Sequence, residues 1–401
     1  MRQLKDIGQI YDGPHATPKR INTGNLYFLN ISGLSNGRLN LSTADRLSPA
    51  DFRTWTRRVQ PRQGDLLFSY ETRIGEAALM PPKIDAALGR RMALLRPDMS
   101  LIDPRYLLYF WLSPRWQSFL QERTLYGATV NRIPIGEMPN WPIDIPAIAM
   151  QEKISEVLGS LDDKIAANNH ILGIIDETIQ SLWKHAIQLG ATNTRLDDVI
   201  QINPRTPIPK GTVVRKIEMK NLPEAGFSIS EWEEHEAKGG SRYRNGDTLL
   251  ARITPCFENG KCGFVDFLEA DAVGAGSTEF IVMRPQLDIP LAAPYAVANS
   301  ADFRAFAAQT VTGTSGRQRV QARDLAAYET VWPNEEQLSN FGSRTTPLLD
   351  FAGELRDEVR VLTKTRDELL PLLMNGKITV REASQEAAAA GAQVSSEENE
   401  V

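Results

Sequence analysis

The 401 residues (44.7 kDa) are 42% hydrophobic and 24% charged, proportions that exclude wholesale disorder, a collagen-like repeat and a disulfide scaffold. At roughly 100–200 residues per domain, this length predicts two or three domains, each able to bury its own core. The net charge of −5 hides a gradient: residues 1–145 carry 19 Lys+Arg against 13 Asp+Glu, and residues 334–401 carry 7 against 13. Of the nineteen N-terminal cations, 16 are arginine, the residue suited to bidentate recognition of phosphate or guanine. No apolar run approaches the roughly 20 residues that a bilayer span needs, and Met1–Ile10 lacks the core of a signal peptide. The two cysteines, Cys256 and Cys262, make a reducing, cytoplasmic setting the expectation.

Taken in chain order, residues 1–145 read as a first mixed domain. Gly64–Met80 is a strand–turn–strand with Leu66, Leu67 and Phe68 apolar, and a short helix covers about Pro104–Leu120. Residues 146–190 form a helical spacer, with a helix from about Ala147 to His185. Its 4-3 seam consists of Ile154, Leu158, Leu161, Ile165, Asn168, Leu172, Ile175, Ile179 and Leu182. Asn168, polar in that seam, either fixes register or marks a solvent-facing stutter. Residues 191–333 form a second mixed domain, with Gly246–Val265 as strand–turn–strand and a short helix at about Pro290–Phe306. Residues 334–380 repeat the long helix on Phe341, Leu348, Leu355, Val359, Leu362 and Leu369; Pro347 is expected to kink or delay it and Pro371 to end it soon afterwards. Residues 381–401, rich in Ala, Glu and Ser, are expected to be a disordered tail.

The chain is written twice. Leu4–Ile10 reads like Leu196–Ile202, Gly64-Asp65 like Gly246-Asp247, and Asn131-Arg132 like Gln318-Arg319, at offsets of 182 to 192. Shifting the first seam by 187 places it on the second. The fold class expected is therefore α+β: two tandem pseudo-symmetric domains separated by two long helices that form an antiparallel coiled coil.

Catalytic patterns fail one by one. There is no phosphate-binding loop, Gly274-Ala275-Gly276-Ser277 lacks the rest of a dinucleotide fingerprint, and the amino-methyltransferase signature is absent. Pro97-Asp98 and Asp162-Asp163-Lys164 lie too far apart in sequence to read as a nuclease. Cys256 and Cys262 have no histidine pair nearby, so no metal site is expected. The acidic run Glu231–Glu236 reads as a solvated face. The pattern is that of a non-catalytic binding scaffold.

At this point the chain resembles the specificity (S, HsdS) subunits of Type I DNA restriction–modification systems, over about residues 1–380. The resemblance is carried by Gly64–Phe68 and its echo at Gly246–Leu250, by Gly127–Ile133 with Trp141-Pro142-Ile143, and most strongly by Gln151-Glu152-Lys153-Ile154 leading into Leu161-Asp162-Asp163-Lys164-Ile165. It implies two target-recognition domains that read the halves of a bipartite, asymmetric double-stranded DNA target. It also implies two methyltransferase (M) subunits docked on the helices, and restriction (R) subunits in the full complex. No cofactor is implied for this chain: S-adenosylmethionine belongs to the methyltransferase partners, ATP and Mg to the restriction partner. On this reading the DNA-facing residues are Tyr70, Arg73, Arg90, Arg91, Asn131 and Arg132 in the first domain, and Arg252, Lys261, Arg317, Gln318 and Arg319 in the second. Arg132 and Arg319 have a rival role, tying each recognition domain to its helix. The competing reading is a coiled-coil adaptor that does not touch DNA.

Overall fold

The computed structural model describes residues 2–14, 17–127, 130–314 and 318–394, and the chain folds as two compact units, Met1–Asp163 with Leu362–Val401, and Lys164–Val361. The first unit is built on a four-stranded antiparallel sheet of β1 (Gly8–Asp12), β2 (Leu66–Ser69), β3 (Ala77–Leu79) and β4 (Met92–Pro97), in the order β1-β4-β2-β3. Leu66-Leu67-Phe68-Ser69 is buried on both faces, which is why this strand reads as an unbroken apolar run and not as an alternation. Beside it lies a mixed sheet of Asp45–Arg46, Leu26–Phe28 and Asp85–Ala87, the last two parallel. Helix α1 (Pro49–Trp55) follows, N-capped by Ser48.

The helix expected at Pro104–Leu120 is two, α2 (Pro104–Leu112) and α3 (Pro114–Glu122). Ser113-Pro114 breaks it: Ser113 leaves the helical region to cap α3 through the amide of Trp116. The long helix α4 (Ile148–Leu189) then crosses the sequence boundary between the units.

The second unit repeats the plan. Strands β5 (Ile200–Ile202), β6 (Thr248–Ala251), β7 (Cys262–Phe264) and β8 (Phe280–Pro285) form an antiparallel sheet in the order β5-β8-β6-β7. A mixed sheet again contains one parallel pair, Val213–Ile217 with Gly274–Gly276. Helices α5 (Ala293–Ala298) and α6 (Ala301–Gln309) replace the single helix expected at Pro290–Phe306, and Ser300 caps the second of them as Ser113 does in the first unit.

The last long helix, α7 (Glu335–Met374), starts on time despite Pro347 and ends three residues after Pro371. Pro347 lies inside the helix, and just before it Thr345 and Thr346 donate their hydroxyls to the carbonyls of Phe341 and Gly342. In the second unit Asn168 of α4 faces Glu358 of α7 (Nδ2 to Oε2, 2.6 Å), and Trp183 meets Phe341 edge-on at 5.1 Å, so the two helices run antiparallel there. Asn168 is buried and faces the partner helix, not solvent. Of the expected seam, Leu172, Leu182, Leu348 and Val359 are half-buried and the others buried. The seam is not a body of its own: Ile175, Ile179, Trp183 and Ala186 share one core with Leu196, Ile200, Ile281 and Leu355.

The expectation of disorder from residue 381 is corrected. Helix α8 (Val380–Ala389) forms, with a capping box in which the Thr379 hydroxyl accepts from the Glu382 amide and the Glu382 carboxylate accepts from the Thr379 amide. The alanines that seemed to offer nothing to bury are what is buried, Ala383 and Ala387. Residues 395–401 lie outside the described residues.

Candidate nucleic-acid interface

One end of the first antiparallel sheet gathers residues that are far apart in sequence. Asp12 closes β1, Met92 opens β4 and Ser69 closes β2; the register Ala93 to Asp12 and Met92 to Ser69 puts them on the same rim. Three segments are knotted there by backbone hydrogen bonds. Tyr70 N donates to Arg91 O (3.2 Å), Ile133 N to Tyr70 O (2.8 Å) and Thr72 N to Asn131 O (3.3 Å), while Glu71 bridges to Arg132. Side chains lock the knot. Arg91 reaches Glu71 (3.1 Å) and donates to the Thr72 hydroxyl (3.1 Å).

The second unit ties the same knot 182 to 188 residues on. Arg252 N donates to Glu279 O (2.9 Å), Val320 N to Arg252 O (2.8 Å) and Thr254 N to Gln318 O (3.0 Å), and Ile253 bridges to Arg319. The charges are placed differently. The arginine at Arg91 becomes Glu279, and that acid is now held by Arg319 through Nε (2.9 Å) and Nη2 (2.7 Å). The Arg319 hydrogen bonds keep the Glu279 carboxyl below its ordinary range.

The DNA-facing residues expected from the sequence divide accordingly. Arg90, Asn131, Arg132 and Gln318 are exposed on these knots. Arg73 is partly exposed and paired with Glu76 (3.3 Å), and Arg91 is paired with Glu71. Tyr70 is corrected: its side chain is 5% exposed and burial pushes its hydroxyl up to about 12, so it is a core residue that serves through its backbone. Lys261 is corrected as well, because its ammonium donates inward to the carbonyls of Met219 (3.1 Å) and Leu222 (3.2 Å). Arg252 is half-buried, with an Nε that has no hydrogen-bond partner among the described residues. Arg319 is committed to Glu279 within the second unit. Arg317 lies outside the described residues.

Sequence reasoning passed over what holds these rims in place. Asp65 and Asp247, the acids of the repeated Gly-Asp, are buried and each accepts two bonds from an arginine on the neighbouring strand, Arg96 (2.9 and 2.7 Å) and Arg284 (2.7 and 2.6 Å). The repeat of Gly-Asp was the available signal; the arginines, 31 and 37 residues away, carried none. Gln151, fully buried, fastens α4 to the loop before α2, accepting from the amide of Asp103 (3.0 Å) and donating to Leu101 O (3.2 Å). Asp162 accepts from the Tyr109 hydroxyl (2.7 Å) and from Arg366 of α7 (2.9 Å), all within the first unit.

Among the described residues no group of His, Cys, Asp and Glu could hold a metal ion, and no helix is long and apolar enough to cross a membrane.

Residues 1–176 match the family described as the Type I restriction modification DNA specificity domain. That stretch is less than half of the chain, and over it the chain is similar to the specificity subunits of Type I restriction–modification systems. The chain is 29% identical over 171 residues to the Type I restriction enzyme EcoAI specificity subunit of Escherichia coli, covering 42% of this chain but only 28% of that protein. A Methanocaldococcus jannaschii protein described as a type I restriction enzyme specificity subunit, MjaX, is 21% identical over 354 residues, 79% of each chain. In fold, the chain is similar to the crystal structure of the S subunit of a Type I restriction–modification system from M. genitalium, with a TM-score of 0.55 at 12% identity over 93% of this chain and 95% of that one. The fold thus combines helices and sheets, as expected from the sequence.

Proposed function

We propose that this chain reads DNA sequence for a Type I restriction–modification complex, one half of a bipartite, asymmetric double-stranded target with each unit. The observation that carries this reading is the repeated knot. The same backbone bonds recur in both units while the exposed side chains differ, Asn131 and Arg132 in one, Gln318 in the other. Common scaffolding with unlike side chains is what two readers of unlike half-sites require. The paired α4 and α7, with Asn168 against Glu358, support an antiparallel coiled coil between tandem, pseudo-symmetric target-recognition domains.

On this reading the chain has no chemistry of its own. Two methyltransferase subunits bring S-adenosylmethionine, and restriction subunits, where present, bring ATP and Mg. The test is methylation mapping in a host that expresses the methyltransferase partner with and without this chain. The expected result is a new methylated motif of two unlike half-sites separated by a fixed gap. An unchanged methylation pattern would favour a coiled-coil adaptor.

A further inference from the structure

Each unit carries a cavity beside its knot, and one wall of each is formed by corresponding segments. In the first unit a cavity of about 260 Å³ lies against Asp12, Gly13 and Leu88, walled by the end of α1 and the residues after it, Thr54 to Val59. In the second a cavity of about 300 Å³ lies against Gly276 and Thr278, walled by His235 to Gly240. Adding the offsets already set by the knots, 182 for the first wall and 188 for the second, carries 54–58 onto 236–240 and Leu88 onto Gly276. The sequence reading assigned no role to either place.

Both cavities carry two cations, on different segments in the two units, and the second is lined by Glu236 as well. Each has one cation held by a carboxylate: Arg58 by Asp12 in the first, Lys216 by Glu218 (2.7 Å) in the second. Each also has one exposed cation with no ion pair among the described residues, Arg57 in the first and Lys238 in the second. The walls are rigid, because backbone is packed on backbone. A Cβ on Gly13 would come within 2.4 Å of Gly89 O, and one on Gly240 within 1.8 Å of Gly276 O.

We infer that Arg57 and Lys238 are phosphate contacts, one on each half-site, that seat the DNA backbone beside the base-reading rims. The inference rests on the proposed DNA-reading function and deepens it. Groups that read different bases must differ between the units, as the knots do. Groups that grip the chemically uniform backbone need share only their charge and a common stretch of wall, as Arg57 and Lys238 do, one residue out of step in the corresponding segments 54–58 and 236–240.

The test uses the full chain purified with its co-expressed methyltransferase partners, as wild type, R57Q, K238Q and K238R. Duplex affinity is measured at several salt concentrations on the mapped target and on the same duplex with one base pair changed. Each glutamine variant should lower the slope of log K against log[salt] by about 0.9 and weaken both duplexes by the same factor. K238R should keep the wild-type slope. An unchanged slope, or a loss confined to one base pair, overturns the inference. If wild type shows no sequence preference, the DNA-reading function fails, and the slopes on that non-specific duplex still decide whether Arg57 and Lys238 meet phosphate.

Discussion

Arg284 grips Asp247 through two nitrogens, Nε at 2.7 Å and Nη2 at 2.6 Å, and the same carboxylate accepts the amide of Arg244 at 2.7 Å. Asp247 is 1% exposed, so this is an ion pair that has lost its water and is repaid only by complete bonding. It joins the start of β6 to β8, and through β8 it holds Glu279 at the rim. Asp65 and Arg96 make the same joint in the first unit, where Arg62 supplies the amide at 2.8 Å.

Removing one partner should therefore cost more than removing both. Asp247→Ala leaves a largely buried guanidinium without its anion and is expected to destabilise the second unit by about 3–5 kcal/mol. Replacing the pair together, Asp247→Leu with Arg284→Met, should recover most of that loss. Urea unfolding of the full chain measures both; equal losses in the single and double variants would show that the pair contributes only packing.

The Glu279–Arg319 bond gives the second knot a defined response to acid. The folded state holds the Glu279 carboxyl below its ordinary value, chiefly through the hydrogen bonds from Arg319. A depressed carboxyl contributes stability that is present above its unfolded pKa and is lost as pH falls through the folded one. The Arg252 amide, which donates to Glu279 O, should thus exchange faster as the solution is acidified below the ordinary carboxylate range. In Arg319→Gln that extra acid sensitivity should vanish; hydrogen exchange measured across the acid range reads it directly.

How much of this was legible in the sequence follows from what periodicity and repetition can carry. The 4-3 seam located α4 and α7 within a few residues, because apolar spacing held over some forty residues fits only a long helix, whether it packs on its partner or on a sheet. The offsets of 182 and 187 placed Asn131 against Gln318 before any coordinate did. Burial defeated the side-chain assignments: Tyr70 and Lys261 are polar residues at rim positions, and only packing reveals that one is enclosed and the other bonds inward to Met219 and Leu222. Arg57 and Lys238 went unread because their cavities are closed by strands distant in sequence. The tail was misread because alanine, which carries little hydrophobic weight in composition, packs well once a helix presents it on one face.

Asp266 is expected to act in the opposite direction to Glu279. It sits between the strands of the second unit and α7, paired with the buried Arg356, while the neighbouring Trp232 stacks on Phe267 (4.4 Å) and lies under Arg360 (3.8 Å). Burial raises its carboxyl to about 6, outweighing the pull of Arg356. A native state that holds the proton more tightly than the unfolded chain gains stability as pH falls through that value and loses it as pH rises. Unfolding measured between pH 7 and 5 should show the wild type gaining relative to Asp266→Asn; parallel curves would mean that the carboxyl stays charged throughout.

The last helix offers the simplest measurement. Val380–Ala389 is ten residues long, too short to persist in water on propensity alone, and its start is fixed by Thr379, whose hydroxyl accepts from the Glu382 amide at 3.2 Å. Thr379→Ala should cost about 1 kcal/mol of local stability and reduce helicity by far less than the loss of α7 would. Thr379→Ser, which keeps the oxygen, should leave the helix intact. Amide exchange at Ala383 and Ala387, the two residues that the helix buries, separates the cases: faster exchange in the alanine variant alone assigns the helix to its cap, and equal protection in both variants assigns it to the packing of those two methyl groups.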